Sequence, residues 1–585
     1  LGGAIYNTNT LGNIKNSSFI NNSVKGNEES AGGAIYSSKD ILITSDNGVA
    51  LFEGNTANGK SNAIYMKGTE AVEDEENPVA EEIINLNLSS LNNGNITFND
   101  AIDGQLYNIN ISGDGTGVVK FDNEVKNVGD FVLGDNSVTH IGLKSKVFTQ
   151  NMKPESLSEN SPIITVDVKV DRDKNTVDTG QIHIDNDIEG EYRILVNALT
   201  PDVLDKTEDA VVPFLFAPND DESTTSSFAV ARVIGSPYMW DGAVNAEGET
   251  EGATWYLNLT DKRNPEYVPQ KGYPVVPEIV AGIGLQSAAI EQTHSVVRNV
   301  KNKVDIERDF CPKCGLYDNG WHQRRLNNGW VLVQSESANI DAPSDVEAKI
   351  HGVEAGLDFQ GDFHNTLGVF VSYRNGEYEF SGNGKEYFSR YSSDTSIDSY
   401  LAGLYYRYDR NLAWLFATIY GGMQKTETKT GDGVANFDTQ GTEFGASIEF
   451  GQAMPLTHSL TLDPSVGLYY TQINFDDADD NVGKHYEWED IKYLEAEVGA
   501  KLEQQFKHAK VYIKPSVIKT LVNGNSVFIT GINKVNTQED DTLGRVEIGG
   551  RFAISEGLTG YGWANYTFGS DYDALAFGAG LNYAW

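Results

Sequence analysis

From residue 329 onward the chain alternates between apolar and polar positions. Around Glu354, the side chains of Val353 and Leu357 fall on one face of an extended strand, and those of Glu354 and Asp358 on the other. Successive side chains of a strand point to opposite faces, so this pattern predicts half-buried β-strands separated by Gly-, Asn- and Asp-rich turns. Twelve strands are predicted, at 329–337, 347–360, 366–380, 396–409, 412–427, 438–450, 459–474, 489–505, 510–520, 541–553, 558–568 and 574–585.

The connections between these segments alternate in length, which favours a closed barrel over a soluble sandwich. Short connections such as 409–411 and 505–509 alternate with long ones such as 381–395 and 521–540. Transmembrane β-barrels have short turns at one end, long loops at the other and an even number of strands. A sandwich has no reason to produce this rhythm. A soluble two-domain β protein is the alternative at this point.

The two faces of the predicted strands suit a membrane barrel. Aromatic side chains recur near strand ends, at 400–408, 414–420 and 561–566, where they are expected to form interfacial girdles. The polar faces mix charges with Gly, Ala and Ser, which suits a narrow water-filled lumen. We expect these charged residues either to hold a lumen element or only to pack the lumen: Glu354, Asp358, Arg374, Glu443, Glu449, Glu495, Glu497, Arg545, Glu547 and Arg551.

A helix is predicted immediately before the barrel, at 277–310. Pro277 suits the first turn of a helix, and the next proline is Pro312. About 20 helical residues, rising about 1.5 Å each, cover the roughly 30 Å core of a bilayer. Placed before a twelve-strand barrel, the helix is predicted to plug its lumen, with an amphipathic surface helix as the alternative. A stripe of small residues follows one face: Ala281, Gly284, Ala288 and Gln292.

The N-terminal half carries a repeat. The motif GGAIY at 2–6 recurs at 32–36 and, in weaker form, at 61–65, with spacings of 30 and 29 residues. A Phe-x-x-Asn motif at 19–22 recurs at 52–55. Periods of this length indicate a solenoid. Short β runs with Gly and Asn at their corners favour a right-handed parallel β-helix over helical repeats.

The predicted fold class is therefore all-β with one helix in the barrel lumen. We expect a β-helical stem over 1–235, a proline-containing linker over 236–276, the helix over 277–310 and a transmembrane antiparallel barrel over 311–585. The chain begins inside a repeat, which predicts that the stem continues beyond its N-terminus.

The amino-acid composition excludes several classes of protein. The 84 acidic and 44 basic side chains give a net charge of −40. Nucleic-acid binding is not expected, since it depends on Lys and Arg that neutralise phosphates. An apolar fraction of 39% with 10% aromatic residues is too high for a disordered chain.

Three short motifs could indicate a binding or catalytic site, but each has a simpler structural explanation. Residues 54–61 match the phosphate-loop pattern G-x4-G-K-S, but such a loop leads into a helix and this one leads into a repeat. The acidic run 476–480 is expected to be solvated, with a divalent-cation site as the alternative. Asp100 and Asp103 could belong to a carbohydrate-cleaving groove, although ordinary turn acids explain them better. No other catalytic pattern is visible, so we expect no enzyme, no cofactor and no metal site.

Cys311 and Cys314 have the C-x-x-C spacing and lie between the predicted helix and the first strand. A zinc site needs two further ligands with matching spacing, and a redox motif needs a thioredoxin-like fold. Oxidising conditions on the periplasmic side of the barrel favour a local disulfide.

Residues from about 275 to 585 resemble the translocator domain of autotransporters, the type V secretion family. The stretch 351–370 resembles the second and third strands of that family, and 577–585 resembles its terminal strand. The GGA-I and Phe-x-x-Asn repeats resemble those of polymorphic outer-membrane proteins, which are often adhesins. Two features depart from the family pattern. Asn299 and Asn302 are separated, whereas self-cleaving members have adjacent asparagines, and the C-x-x-C insertion is foreign to it.

The resemblance implies a twelve-stranded barrel in the bacterial outer membrane with a passenger at the cell surface. Outer-membrane lipid and the barrel-assembly machinery are the implied partners, and stacking of passenger rungs is the implied driving force without ATP. The passenger is expected to bind a host-cell or cell–cell surface ligand. A surface-displayed carbohydrate-active enzyme, or a stem for a further module, are the alternatives. The implied barrel-assembly signal consists of Phe577, Leu581, Tyr583 and Trp585.

Overall fold

The computed structural model of the chain divides into two compact units, Leu1–Pro265 and Glu266–Trp585. The residues that the structure describes are 2–9, 12–26, 31–72, 79–155, 161–171, 174, 176–200, 209–217, 225–239, 241–247, 253–260, 275–306, 327–341, 344–360, 364–381, 389–410, 412–523, 526–537, 542–555 and 557–585.

The described part of the first unit consists of β-strands, most of which pair in parallel. The strands are β1 (Ile5–Asn7), β2 (Asn13–Lys15), β3 (Phe19–Ile20), β4 (Ser23–Val24), β5 (Ile35–Ser37), β6 (Ile41–Asp46), β7 (Val49–Glu53), β8 (Thr56–Ala57), β9 (Lys60–Ser61), β10 (Ile64–Lys67), β11 (Ile84–Leu91), β12 (Asn95–Phe98), β13 (Ile102–Gln105), β14 (Tyr107–Gly113), β15 (Val118–Phe121), β16 (Val125–Leu133), β17 (Val138–Ile141), β18 (Lys146–Pro154), β19 (Ile163–Asp171), β20 (Thr176–Thr179), β21 (Gln181–Ala198), β22 (Asp209–Ala217), β23 (Thr225–Ile234), β24 (Asp241–Glu247) and β25 (Ala253–Thr260).

The GGAIY repeats stack in register. Ile5 pairs in parallel with Ile35, and Ile35 pairs in parallel with Ile64. The same column continues from Ile64 to Ile102. Each repeat is thus one turn of a coil whose apolar side chains stack in its interior, which confirms the predicted parallel β-helix. The right hand of the coil stays a prediction.

The phenylalanines of the Phe-x-x-Asn motif form a second column. The ring centroids of Phe19 and Phe52 are 4.9 Å apart, and those of Phe52 and Phe98 are 4.7 Å apart. The ring centroid of Phe121 lies 5.6 Å from that of Phe98. These distances are close to the ~4.8 Å spacing of hydrogen-bonded strands, so each rung places one ring on the ring below. Truncating a buried phenylalanine of this kind to alanine costs about 3–5 kcal/mol.

The asparagine of the same motif ties neighbouring corners of the coil. The Asn55 side-chain oxygen accepts hydrogen bonds from the backbone and side-chain nitrogens of Asn22, at 3.1 and 2.9 Å. The Asn55 side-chain nitrogen donates in turn to Asp100 at 2.8 Å, and the Asp100 carboxylate also accepts from the Gly54 and Asn55 backbone. Asp100 therefore satisfies buried donors of the corner, as expected for a turn acid. The residues after Gly54 form strands β8 to β10 with no helix, unlike a phosphate-binding loop.

Strand pairing in the first unit extends beyond the predicted start of the linker at 236. Strands β24 and β25 pair antiparallel, and β25 also pairs with β22. The sequence of Ala253–Thr260 contains Thr, Trp, Tyr and Leu, which favour strands, and the prolines at 265, 269 and 274 come after it.

The second unit contains strands and two helices. The strands are β26 (Asn327–Ile340), β27 (Val346–Gln360), β28 (Asn365–Phe380), β29 (Ser393–Arg410), β30 (Ala413–Thr430), β31 (Asn436–Gln452), β32 (Met454–Pro455), β33 (Leu460–Phe475), β34 (Ala478–Asp479), β35 (His485–Trp488), β36 (Ile491–Gln505), β37 (Ala509–Asn523), β38 (Ser526–Ile529), β39 (Asn533–Asn536), β40 (Thr542–Ser555), β41 (Leu558–Phe568) and β42 (Tyr572–Ala584).

Twelve of these strands close into an antiparallel barrel. Strand β26 pairs with β27 on one side and with the last strand, β42, on the other. All twelve segments predicted from the alternation are strands of this barrel, and their ends differ from the prediction by at most three residues. The connection between β30 and β31 is only 431–435, which is shorter than predicted.

The barrel exposes its apolar side chains and buries its polar ones. Val353 and Leu357 are 40% and 43% exposed, whereas Glu354 and Asp358 between and beside them are 0% and 2% exposed. A soluble protein shows the opposite arrangement, while a barrel in lipid requires this one. The soluble two-domain alternative is therefore excluded.

Several aromatic residues expected in the interfacial girdles are instead buried in the lumen. Tyr405, Trp414, Tyr420 and Tyr561 are each at most 4% exposed. The girdle prediction was wrong for these four residues because position near a strand end does not reveal on which face a side chain lies. The lumen contains a helix, and bulky rings fill the space around it.

Two helices occupy the range in which one was predicted. Helix α1 (Pro277–His294) begins with Pro277 in its first turn as predicted, and helix α2 (Val296–Ile306) follows after Ser295. Most of their residues are buried inside the barrel, and Ser287, Ile290 and His294 are half-buried. Neither described helix is long and apolar enough to cross a membrane.

A small sheet of β34, β35, β38 and β39 forms within the two long connections at 476–490 and 524–541. It corrects the expectation that the acidic run at 476–480 is simply solvated. Asp480 is buried, and its carboxylate accepts hydrogen bonds from the Lys484 backbone at 2.8 Å and the Tyr486 hydroxyl at 2.9 Å. The run is thus partly built into a hairpin.

One outer ladder of the β-helix contains a histidine stacked between two phenylalanines. The His183 ring lies 4.8 Å from that of Phe148 and 4.5 Å from that of Phe216, centroid to centroid. Burial lowers the pKa of His183 below its ordinary value, and the charge of Lys146 lowers it further.

Stability of the first unit should therefore depend on His183 protonation. Folded His183 holds its proton less tightly than the unfolded chain does. The stabilisation that the neutral His183 ring gives to the folded unit is thus present above about pH 6.5, and it is lost as the pH falls through the lowered pKa. We expect the urea midpoint for proteolysis of the first unit to fall from about pH 7.5 to about pH 5, and to fall less in His183→Phe, which keeps the stack. An equal fall in both proteins would contradict this prediction.

Candidate functional site in the barrel lumen

The helices run through the lumen from the end with the long connections to the end with the short turns. At the first end, the backbone oxygen of Pro277 accepts a 3.0 Å hydrogen bond from Ser393, the first residue of β29. At the other end, Lys303 contacts Asp358, which lies close to the short turn that follows β27. The N-terminus of α1 therefore lies at the long-loop end of the barrel.

The small residues of α1 let the barrel wall approach the helix closely. A Cβ atom on Gly284 would lie 2.4 Å from the ring of Phe380, and one on Gly282 would lie 2.7 Å from the ring of Tyr486. Both distances are shorter than any van der Waals contact, so these helix positions require glycine. The predicted small-residue stripe thus marks a packing face.

The sheet of the long loops contacts the first half of α1. The backbone oxygen of Gly282 accepts a 2.9 Å hydrogen bond from the Trp488 indole, and Gln286 donates to the backbone oxygen of Ser526 at 2.9 Å. Glu278 and Lys484 form a buried ion pair at 2.9 Å. This end of the helix is therefore held by residues outside the barrel wall.

The junction between the two helices is held by hydrogen bonds to the wall. The Arg374 guanidinium donates to Ser295 Oγ at 2.8 Å, to the Gln292 backbone oxygen at 3.1 Å and to Glu354 at 2.8 Å. Ser295 Oγ donates to Glu336 at 3.0 Å. These bonds satisfy polar groups that the interruption of the helix leaves inside the lumen.

Helix α2 carries three cations, and each meets a carboxylate of the wall. Arg298 contacts Glu495 and also donates to Glu497 at 3.0 Å. Lys301 lies 3.0 Å from Glu449, and Lys303 contacts Asp358. All of these side chains are buried. Since a buried charge without a partner is strongly unfavourable, the wall and the helix depend on each other.

Each of the three cations also lies over an aromatic ring of the wall. Arg298 is 4.4 Å from the ring centroid of Tyr469, Lys301 is 4.9 Å from that of Trp414, and Lys303 is 5.5 Å from that of Trp330. The ring faces attract cations, and more strongly where water is excluded. The lumen therefore recognises α2 by both acids and rings.

Two asparagines of α2 complete the contacts with the wall. Asn299 donates to Gln334 at 2.5 Å and to Glu354 at 3.1 Å, and Asn302 donates to Glu547 at 2.9 Å. Together with the cations they contact strands on different sides of the barrel.

The structure brings most of the charged residues singled out from the sequence to the helix. Seven of them contact the described helices directly, and Glu443 does so through Gln424, which donates both to it and to the Ala289 backbone. Arg545 lies 3.6 Å from Glu497, and Arg551 is half-buried on β40. The seven direct contacts are Glu354, Asp358, Arg374, Glu449, Glu495, Glu497 and Glu547.

Sequence reasoning missed the helix side of this network. Arg298, Lys301 and Lys303 fall within six residues of a strongly acidic chain, and this local excess of positive charge was the available signal.

The assembly-signal residues are exposed on the outer face at the end of the barrel's last strand, with the ring of Trp585 stacked on that of Tyr583 at 6.2 Å. Cys311 and Cys314 lie outside the described residues.

Replacing Arg298 should loosen the helix in the pore. In Arg298→Met, Glu495 and Glu497 lose their helix cation inside the lumen, at a cost of about 3–5 kcal/mol for a broken buried pair. We expect higher single-channel conductance in planar bilayers and a lower temperature for the heat-shifted gel mobility of the barrel.

Lys510→Met is the matched control. Lys510 pairs with Glu503 at 3.2 Å between two wall strands, so its loss destabilises the wall rather than the helix contacts. Conductance that is unchanged in Arg298→Met, or raised equally in both variants, would refute the role of Arg298.

One protein family matches the second unit. Residues 333–567 match the family described as the autotransporter beta-domain. No curated protein matches the chain. Among solved structures, the translocator domain of autotransporter NalP from Neisseria meningitidis is similar at 15% identity and a TM-score of 0.42, over 52% of this chain and 99% of that one.

Two further solved structures are similar. The transport unit of autotransporter AIDA-I from Escherichia coli is 15% identical with a TM-score of 0.37, over 47% of this chain and 95% of that one. The beta domain of the Bordetella autotransporter BrkA is 14% identical with a TM-score of 0.36, over 44% of this chain and 100% of that one. The family match and the closed twelve-strand barrel together establish that the C-terminal unit is an autotransporter beta-domain, in a chain of the bacterial outer membrane with a surface-exposed passenger.

Proposed function

We propose that this chain translocates its own β-helical passenger, anchors it at the cell surface and displays it for adhesion. The observation that carries the proposal is the helix held in the lumen. Its N-terminal end lies at the long-loop end of the barrel, and in sequence it follows the β-helical unit. A chain arranged in this way remains attached after its passenger has passed outward.

The lumen network supports anchoring. Breaking three buried cation–carboxylate contacts at once is required to pull α2 through the barrel. A helix held in this way closes the pore and resists removal of the passenger.

Stacking of rungs supports translocation without ATP. Successive rungs of the passenger add members to apolar columns, as between Phe52 and Phe98 and between Ile64 and Ile102. Burial of these side chains outside the cell favours outward movement of the passenger, since each folded rung provides the surface on which the next rung folds.

Exposed rung edges support an adhesive rather than a catalytic passenger. Tyr6, Tyr36 and Tyr65 stack with centroids 5.3 and 5.8 Å apart along one side of the coil, and Tyr36 and Tyr65 are partly exposed there. The best carboxylate candidate for catalysis, Asp100, is instead occupied by backbone donors of a corner. A long repetitive surface suits binding to another cell surface.

Displaying the chain on a laboratory bacterium tests adhesion. Cells carrying the full chain should aggregate and attach to host cells more than cells carrying a variant without residues 1–265, because only the former present the coil. Sedimentation and counting of attached cells measure the difference. Equal attachment with both chains would remove the adhesin proposal and leave the translocator intact.

The terminal strand is the part of the barrel that we propose the assembly machinery recognises. Trp585→Ala should reduce insertion into the outer membrane several-fold, because it removes the exposed aromatic residue that directly follows β42. Membrane fractionation with heat-shifted gel mobility measures inserted barrel. Leu575→Ala, at a similarly exposed position early in β42, is the control. If the two variants insert equally well, the end of the strand is not the signal.

A further inference from the structure

Three potential metal ligands meet beside the junction of the two lumen helices. Ligand atoms of Glu291, His294 and Glu336 all lie within 4.8 Å of one another. Glu291 and Glu336 are 4% and 5% exposed, and the His294 side chain is 12% exposed. The cluster joins the last turn of α1 to strand β26 of the barrel wall.

Glu291 and His294 have the spacing of a helical metal motif. Residues three apart lie on one face of a helix, and Glu-x-x-His is the arrangement with which helices ligate iron and manganese in carboxylate-bridged sites. His294 Nδ1 lies 3.7 Å from Glu291 Oε2 and 3.4 Å from the Glu291 backbone oxygen, and it must give up the hydrogen bond to the backbone oxygen in order to ligate a metal. Two ligands of a tetrahedral metal with bonds of about 2.0–2.2 Å lie roughly 3.4 Å apart, so a small rotation brings these atoms to the required distance.

Among the described residues, neither carboxylate forms an ion pair with a lysine or arginine, although Arg545 lines the cavity next to them and its charge acts on Glu291. Glu336 accepts one hydrogen bond, from Ser295 Oγ, and forms no ion pair there. Glu291 accepts from the Tyr572 hydroxyl at 2.7 Å, and its only ion-pair partner is the neighbouring histidine. Two buried acids so close together are costly when both are ionised, and either a proton on one of them or a cation between them removes that cost. The hydrogen bonds from Ser295 and Tyr572 are of the kind that orient metal-binding carboxylates.

A cavity opens beside the same residues. It has a volume of about 70 Å³ and is lined by Glu291, His294 and Tyr572, with Glu495 and Arg545 further along. One water needs about 10–15 Å³ of such space, so an ion's remaining water ligands fit there.

We propose that Glu291, His294 and Glu336 bind a divalent transition-metal ion, with water as the fourth ligand. One imidazole and two carboxylates suit Zn²⁺, and also Mn²⁺ or Fe²⁺. Because two ligands are on the lumen helix and the third is on the wall, the bound ion fastens the helix to the barrel. The ion would lie next to the interruption at Ser295. It would therefore attach the lumen helices to the wall at a second place, in addition to the cation–carboxylate contacts of α2.

Metal content of the full chain, purified in detergent, tests the proposal. After incubation with Zn²⁺ and removal of free metal, we expect about one zinc per wild-type chain by elemental analysis. Glu336→Gln and His294→Asn should each lose at least about tenfold in zinc affinity, since each removes one of three ligands. Co²⁺ in place of zinc should give the visible absorption of a low-symmetry site in the wild type alone. Zinc should also raise the temperature of the heat-shifted gel mobility of the wild type, and EDTA should reverse it.

His485→Ala is the matched control, because His485 pairs with Asp479 at 2.7 Å at an exposed position on a loop hairpin. Its zinc content should equal that of the wild type. Gel mobility before heating shows that each variant has folded, and Glu291→Gln provides a third variant if either of the others does not fold. A wild-type chain without retained zinc, or zinc retained equally in all folded variants, overturns the proposal.

Discussion

The second unit depends on one constraint, which is that polar groups inside a lipid-facing barrel must find partners in the lumen. Lipid on the outside leaves the inner face as the only place for charge. Glu354 and Arg374 are fully buried there, and they bond to each other and to the helix. The helix supplies what the acidic wall lacks, since Arg298, Lys301 and Lys303 bring positive charge to it. Barrel and helix therefore form one folded body.

The two units use the same strand periodicity in opposite ways. In the β-helix, every second side chain enters a dry interior, as Phe52 and Phe98 do, and the polar ones face water. In the barrel, Val353 and Leu357 face outward and Glu354 faces inward. A single period-two pattern serves both units, because which face is apolar depends on the solvent on each side of the sheet.

The helix position can be understood from size as well as charge. Glycines at 282 and 284 allow aromatic side chains of the loops and wall to touch the helix backbone. Rings such as Trp414 and Trp330 fill the rest of the lumen and face the lysines of α2. Acids, rings and small helix residues together specify one depth of the helix in the barrel. Buried acids at the helix junction extend the same logic to the proposed metal ion.

Local pattern by itself determined the strands, their order along the chain, the repeat of the β-helix and the existence of a helix at 277. These follow from periodicity and spacing, which are properties of neighbouring residues. Only the tertiary structure decided which partners meet. Arg298 and Glu495 are 197 residues apart, and the inward side of Tyr405 follows from the register of its strand rather than from its place near the strand end. The interruption at Ser295 likewise has no local signal, since it is stabilised by Arg374 and Glu336 of the wall. Barrel closure brings such distant residues together, and no pattern within one segment encodes that closure.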